Sequence, residues 1–102
     1  MKQARFVAGA RRDLLDGVAF YDKSREGQGA RFTHAVEQAA ARALAFPRSG
    51  SPAAANTRRI IVTAFPFSLF YREDGAEIVI FAVVHHSRDP EYWARRAAGE
   101  SR

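Results

Sequence analysis

Between Arg58 and Arg96 the chain carries side chains that could act on a phosphodiester or grip an anionic surface. Cleavage of RNA through its 2′-OH needs a base near that hydroxyl, cations around the phosphate and an acid for the leaving oxygen. Arginine, histidine and tyrosine can supply all three. For such cleavage the candidates are Arg72, His85, Arg88 and Tyr92. For contact with a macromolecular target they are Arg58, Arg59, Arg72, His85, Arg88, Tyr92 and Trp93.

Several of these residues also have a purely structural role open to them. His85 ends an apolar run, so its ring could pack against Phe70 or Phe81 and only hold the following turn. Arg72 could pair across a hairpin with Glu77, which contributes under about 1 kcal/mol when exposed. Both interpretations remain open for these residues.

The end of the chain has the signals of a short helix. Pro90 suits a first helical position, and Asp89 before it can cap a helix over Glu91–Ala98. Tyr92 and Trp93 would pack this helix on the sheet or contact a partner directly.

Three runs of β-branched and aromatic residues position these side chains and predict consecutive strands. The runs are Ile60–Phe65, Phe67–Arg72 and Ile78–His85. Asp74 and Gly75 lie between the last two, and an Asp-Gly pair favours a two-residue type I′ turn. Counting back from that turn places Tyr71 opposite Ile78.

This register divides the hairpin into two faces. One face is nearly all apolar and should lie against helices: Phe67, Leu69, Tyr71, Ile78, Ile80 and Ala82. The other mixes apolar with charged residues, as a binding surface would: Ser68, Phe70, Arg72, Glu77, Val79, Phe81, Val83 and His85. If Phe70 and Phe81 are exposed there, the free protein should be poorly soluble without a partner.

The first half of the chain predicts two helices joined by a short glycine-containing connection. In the first, Ala10–Lys23, the apolar positions Leu14, Leu15, Val18 and Tyr21 recur at helical spacing. The second, Gly29–Phe46, carries the stripe Phe32, Val36, Ala39, Ala40, Ala43 and Leu44. The residues Arg48–Thr57 read as a surface loop. Helices followed by strands predict an α+β domain whose sheet covers the helical hairpin.

Size and composition limit the possible functions. The chain of 102 residues is expected to form one domain, 1–102. It has no cysteine, which excludes disulfides and thiolate chemistry. It has neither an apolar leader nor about eighteen consecutive apolar residues, so we expect a cytoplasmic location and no membrane partner.

The net charge of +5 comes almost entirely from arginine, because Lys2 and Lys23 are the only lysines. An arginine-rich surface suits nucleic acid or an acidic protein, although a coding preference for arginine would give the same composition. His85 and His86 are adjacent on a strand and point to opposite faces, which makes them a poor metal site. We expect no metal and no cofactor.

Short motifs over most of the chain carry a family resemblance. They are Phe20-Tyr21, Gly29-Ala30-Arg31-Phe32, Pro47, Gly50, Arg58-Arg59, Phe65-Pro66-Phe67, Phe70-Tyr71-Arg72, Ala82-Val83-Val84 and Arg96. The most specific is His-x-x-Arg-Asp-Pro-x-Tyr-Trp, which begins at His85 after an apolar strand. With these motifs the chain resembles the ParE/RelE family of type II toxin–antitoxin toxins, also called plasmid stabilisation proteins.

The resemblance implies the order β-α-α-β-β-β with a short C-terminal helix, in which an antiparallel sheet packs on a helical hairpin. It also implies a first strand near Ala4–Ala8. A toxin of this kind is neutralised by a cognate antitoxin whose amphipathic C-terminal segment folds on it. Operator DNA would be contacted only through the antitoxin.

Two branches of the family differ in their target. ParE-type toxins inhibit DNA gyrase without known catalysis, whereas RelE-type toxins cleave mRNA on the translating ribosome with a surface rich in lysine. The strands and last helix of this chain contain no lysine, which favours the ParE branch. The RelE type and a non-toxic interaction module remain the alternatives, so whether the chain is an enzyme stays open.

Overall fold

A computed structural model describes residues 3–89 and 92–99. Its helices are α1 (Ala8–Ser24), α2 (Gln28–Ala45) and α3 (Ala94–Gly99). Its strands are β1 (Gln3–Phe6), β2 (Ser51–Ala53), β3 (Thr57–Ile61), β4 (Phe67–Asp74) and β5 (Glu77–His85). The predicted α+β class and the helical hairpin are confirmed.

The five strands form one sheet in the order β1-β5-β4-β3-β2. The pairs β5–β4 and β4–β3 are antiparallel, as predicted, and an unpredicted strand β2 pairs antiparallel with β3. The first strand instead runs parallel to β5, so the sheet is mixed. Parallel strands need a long connection between them. Here α1 and α2 precede all the other strands along the chain, so β1 and β5 are far enough apart in sequence to pair in parallel.

The helical hairpin covers one face of the sheet. Nearly all of the predicted α2 stripe is buried: Phe32, Val36, Ala39, Ala40 and Ala43. The two helices approach closely at Gly17, where an added Cβ would lie 2.4 Å from the ring of Phe32. The prediction was wrong for Leu15, which is 61% exposed on the outer side of α1. No helix in residues 3–89 and 92–99 combines the length and apolar character needed to cross a bilayer.

The segment predicted as the loop Arg48–Thr57 contains a strand. Its residues Ser51–Ala53 form β2, which pairs with β3 and ends at a 3₁₀ turn. Such a strand has little intrinsic β preference and exists because it pairs with its neighbour. The next strand begins earlier than predicted and ends at Ile61 instead of Phe65.

The β4–β5 turn also differs from the prediction. Asp74 pairs with Glu77, so the two loop residues are Gly75 and Ala76. Of these two, only Gly75 has a positive φ, at +62°. A type I′ turn needs positive φ at both positions, so this is a different two-residue turn.

The shifted register changes the predicted cross-strand pairs. Arg72 lies opposite Val79, so the expected pair with Glu77 does not form. Glu77 instead accepts a hydrogen bond from Arg5 of β1 at 3.0 Å.

A bulge in β5 moves the end of that strand to the other face. Tyr71 pairs with Ile80 but Phe70 pairs with Ala82, which leaves Phe81 as the extra residue. Ala82 therefore lies on the face predicted to be mixed. Val83 and His85, predicted on that mixed face, lie on the helix-facing side opposite Leu69 and Phe67.

Part of the mixed face is covered by other side chains. Trp93 is 2% exposed and stacks on Phe70 with 4.2 Å between ring centroids. Phe81 is 1% exposed, with the guanidinium of Arg72 lying 4.9 Å from its centroid. The condition set for poor solubility, exposure of Phe70 and Phe81, is therefore not met, because Trp93 half-covers Phe70 and Phe81 is buried beneath Arg72.

The last helix is shorter than the predicted Glu91–Ala98, because α3 begins at Ala94 after a turn at Tyr92 and Trp93. The proposed capping by Asp89 of a helix opened by Pro90 depends on positions 90 and 91, which lie outside the described residues.

Candidate functional site

His85 lies at the end of β5, where the bulge places it against Phe67. The two rings meet edge to face with 5.1 Å between centroids. The predicted contact of His85 with Phe70 or Phe81 was therefore wrong.

The ring nitrogen Nδ1 of His85 is already in use. It accepts the backbone N–H of Ser87 at 3.0 Å and lies 2.8 Å from the Ser87 hydroxyl. Because a backbone amide can only donate, Nδ1 carries no proton, and the neutral ring then carries its proton on Nε2. His85 thus offers a hydrogen-bond donor on its free side and holds the following turn.

Arg88 and Tyr92 form a neighbouring pair beside His85. The guanidinium carbon of Arg88 lies 4.1 Å from the centroid of the Tyr92 ring. The guanidinium carbon of Arg96 lies 5.2 Å from the same centroid, and Tyr92 is 41% exposed, so part of its side chain remains open to a partner.

These residues surround a hollow of about 220 Å³ between α1 and the end of β5, which we call the His85 hollow. Its lining combines apolar residues with both signs of charge: Asp13, Asp16, Gly17, Phe20, Phe67, Val83, Val84, His85, Arg88 and Tyr92. Phe20 is 62% exposed at its edge. An aromatic or aliphatic side chain of a partner would fit this surface.

A second hollow of about 270 Å³, the Arg59 hollow, adjoins the first and shares Val84, His85 and Arg88 with it. Its other lining residues are Arg59, Ser68, Phe70, His86 and Trp93. Two arginines and two histidines line it and no acidic residue does, so it favours an anionic group.

A buried serine fixes two of the side chains in the Arg59 hollow. Arg59 Nε donates to Ser68 Oγ at 2.8 Å, and Ser68 Oγ lies 2.9 Å from His86 Nε2. Ser68 is only 1% exposed. From the sequence, Ser68 was placed on the mixed face with Phe70, but neither Ser68 nor His86 was predicted as a site residue.

Arg58 and Arg72 lie elsewhere. They line a separate hollow of about 300 Å³ next to the 3₁₀ turn, which shares no lining residue with the other two. Arg72 donates to the carbonyls of Ala55, Asn56 and Ala97. Arg58 donates to the carbonyls of Arg48 and Gly50. The structure therefore brings together Arg59, His85, Arg88, Tyr92 and Trp93, and separates Arg58 and Arg72 from them.

An ion pair between α1 and α3 holds the C-terminal side of the site. Arg96 Nη1 donates to Asp13 Oδ2 at 2.9 Å and to the carbonyl of Phe81 at 3.0 Å. The same carboxylate accepts the backbone N–H of Val83 at 3.0 Å. Since β1 ends opposite Ile80, the pair satisfies backbone groups of β5 that have no strand beside them.

The electrostatic environment favours the charged form of Arg96. The hydrogen bond to Asp13 raises the pKa of Arg96 further above its ordinary value, despite partial burial. Tyr92 Oη lies 3.5 Å from Asp13, so the pair also orients the ring on which Arg88 rests. No role in the site was predicted for Asp13 from the sequence.

Taken together, the arrangement presents hydrogen-bond donors around apolar surface. Arg59, Arg88 and His85 Nε2 can donate to a carboxylate or phosphate, while Phe20 and Tyr92 offer aromatic contact. Among the described residues no three acidic or histidine side chains group closely enough to hold a metal ion.

Comparison with known proteins identifies the family of this chain. The family described as the ParE toxin of the type II toxin–antitoxin system parDE matches residues 5–90. Among solved structures, the fold is similar to one titled "Chromosomal ParDE TA system from P. aeruginosa", with a TM-score of 0.74 and 19% sequence identity. The match covers 83% of this chain and 96% of that one. No curated protein matches. Because the family match spans most of its length, the chain belongs to the ParE toxin family of type II toxin–antitoxin systems.

Proposed function

We propose that this ParE-family protein arrests growth by binding DNA gyrase in the cytoplasm, and that a cognate antitoxin holds it inactive. It acts as a binding protein and not as a nuclease.

The hydrogen bonds that His85 and Arg72 already make support binding over catalysis. A general base needs a free lone pair, but His85 Nδ1 accepts from Ser87 and its other nitrogen is then protonated. Arg72, which would have to neutralise a scissile phosphate, donates instead to three backbone carbonyls. Neither side chain is therefore placed for the catalytic role that cleavage would require of it.

The two adjoining hollows have the composition of a protein-binding surface. Arginine and aromatic residues are the side chains that most often dominate binding energy at interfaces. Arg59 and Arg88 are exposed here, and the aromatic rings of Phe20 and Tyr92 lie at the edge. An acidic patch of the target with an apolar anchor would complement them.

The antitoxin half of the proposal rests on charge and on exposed apolar area. The chain has a net charge of +5, and its outer helix α1 exposes Leu15 and Phe20. An acidic amphipathic segment that gains order on binding would cover both features.

Controlled expression tests the toxin and antitoxin roles together. Induction of the chain alone should arrest growth, and co-expression of the neighbouring open reading frame should restore it. Normal growth on induction, with the protein shown to accumulate, would instead support a non-toxic interaction module.

Cleavage of mRNA on the ribosome is the second candidate, because the acid-free Arg59 hollow could hold a phosphate. Purified protein would be added to translating ribosomes and the message examined for cuts in the A site. Cutting that disappears in Arg88→Ala would establish this activity and displace the gyrase proposal, whereas an intact message excludes it.

A further inference from the structure

A third cationic hollow lies beside α2, away from the site described above. This α2 hollow has a volume of about 450 Å³ and shares no lining residue with the His85 and Arg59 hollows. Arg31, His34, Gln38 and Arg42 border it from α2, and the turn after β3 closes it with Thr63 and Ala64. No acidic residue lines it.

Its cations are available to a ligand. The Arg31 side chain is exposed and makes no hydrogen bond or ion pair within the described part of the chain. Arg42 uses one nitrogen to donate to the Ile61 carbonyl at 2.7 Å, which fixes its guanidinium and leaves other N–H groups free. One arginine is therefore mobile and the other is held in place.

The turn that closes the hollow has an unusual backbone. Ala64 has φ +73°, a left-handed conformation that costs a non-glycine residue about 1 kcal/mol or more. The backbone N–H groups of Thr63 and Ala64 reach no acceptor among residues 3–89 and 92–99. Successive free amides next to a left-handed residue form a concave donor surface for an anion.

We infer that the α2 hollow binds an acidic segment of a partner protein, with carboxylates at the free amides and at Arg31 and Arg42. The two arginines are eleven positions apart on the helix, which is about 16 Å along its axis. An extended segment of about five residues spans that distance at roughly 3.3 Å per residue.

The floor and surroundings favour a peptide over nucleic acid. Ala35 and Phe65 give the hollow an apolar floor. The half-buried ring of Phe65 packs edge to face with Tyr21 and Phe32, at 4.9 and 5.2 Å between centroids, so it is not an open platform for stacked bases.

This inference does not depend on gyrase being the target, because the hollows are separate. The probe is a fluorescent peptide of twelve alternating glutamate and alanine residues, titrated into the full chain beside a thymidylate dodecamer. Amide chemical shifts of the ¹⁵N-labelled protein locate the binding.

We expect the peptide to shift the amides of Thr63, Ala64 and the Arg31–Arg42 face. Arg31→Glu should weaken its affinity at least about tenfold, as expected for the loss of a charge-assisted hydrogen bond. The matched control Arg12→Glu reverses an exposed arginine of α1 that makes no side-chain contact in the described residues, and should change the affinity less than about twofold.

Four results would overturn the inference. They are no peptide binding, shifts centred on His85 and Arg88, equal weakening by the two charge reversals, and tighter binding of the thymidylate strand at the same amides. Circular dichroism of both variants guards against a folding defect, which is not expected because neither side chain is packed.

Discussion

Asp13 in α1 and Arg96 in α3 are 83 positions apart in the sequence and are joined by a 2.9 Å hydrogen bond. The carboxylate is 6% exposed and the guanidinium 25%. Each also binds a backbone group of β5, at Val83 and Phe81. The pair therefore fastens the C-terminal helix to the sheet edge beside the His85 hollow.

Removing the charge at Asp13 should loosen this connection. Asp13→Asn is expected to lower the free energy of unfolding by about 2–3 kcal/mol, since it leaves Arg96 partly buried without a counter-ion. Urea unfolding measures the change. The control Asp16→Asn, on the exposed side of the same helix, should change it by less than about 0.5 kcal/mol. Equal midpoints for Asp13→Asn and the unmodified protein would contradict the role given to the pair.

Trp93 is the only tryptophan, so its fluorescence reports how the C-terminal segment packs. Phe70→Leu removes the ring stacked on it at 4.2 Å and should shift its emission to longer wavelength as water reaches the indole. Phe46→Leu alters a ring that is 68% exposed and should leave the emission unchanged. An unshifted spectrum in Phe70→Leu would mean that Trp93 does not rest on Phe70.

Arg72 is expected to stabilise the fold. Arg72→Ala removes hydrogen bonds to three carbonyls and uncovers the ring of Phe81, so it should lower the free energy of unfolding by about 2 kcal/mol. Arg11→Ala truncates an exposed arginine and should have little effect. If both variants unfold at the same urea concentration, Arg72 is not a structural residue and becomes available again as a target contact.

The elements that the sequence predicted well are those with local signals. The α2 stripe from Phe32 to Ala43 has a clear helical period, and the β-branched run from Ile78 to His85 is long and apolar. Both elements occur within two residues of the predicted bounds. The resemblance to a toxin family likewise rested on a local motif beginning at His85.

The errors came from features that only tertiary pairing decides. The Asp74-Gly75 pair suggested a type I′ turn, but the chain turns one residue later, at Gly75-Ala76. The bulge at Phe81 then reverses the face of His85, and no sequence signal marks it. Strand β2 exists only because Ser51–Ala53 pairs with β3.

The candidate site could be predicted where its residues are close in the chain. His85, Arg88 and Tyr92 lie within eight consecutive positions, and the structure brings them to one hollow. The contacts of Ser68 with Arg59 and His86 depend on the register of two strand pairs, so counting along the sequence could not find them.

Arg88 is expected to contribute to binding of the target and little to the stability of the fold. Its stacking on an exposed tyrosine contributes only about 0.5–1 kcal/mol to folding. Arg88→Ala should therefore leave the unfolding midpoint nearly unchanged and weaken growth arrest on induction. The control Arg95→Ala removes a neighbouring exposed arginine and should arrest growth as the unmodified chain does. Undiminished arrest by Arg88→Ala would remove Arg88 from the binding surface.

Supercoiling of relaxed plasmid by purified DNA gyrase tests the central proposal most directly. Added in micromolar excess over the enzyme, the purified chain should inhibit supercoiling, and Arg88→Ala should require a higher concentration to do so. Gyrase that supercoils at its normal rate in the presence of the folded, unmodified chain would contradict the proposal.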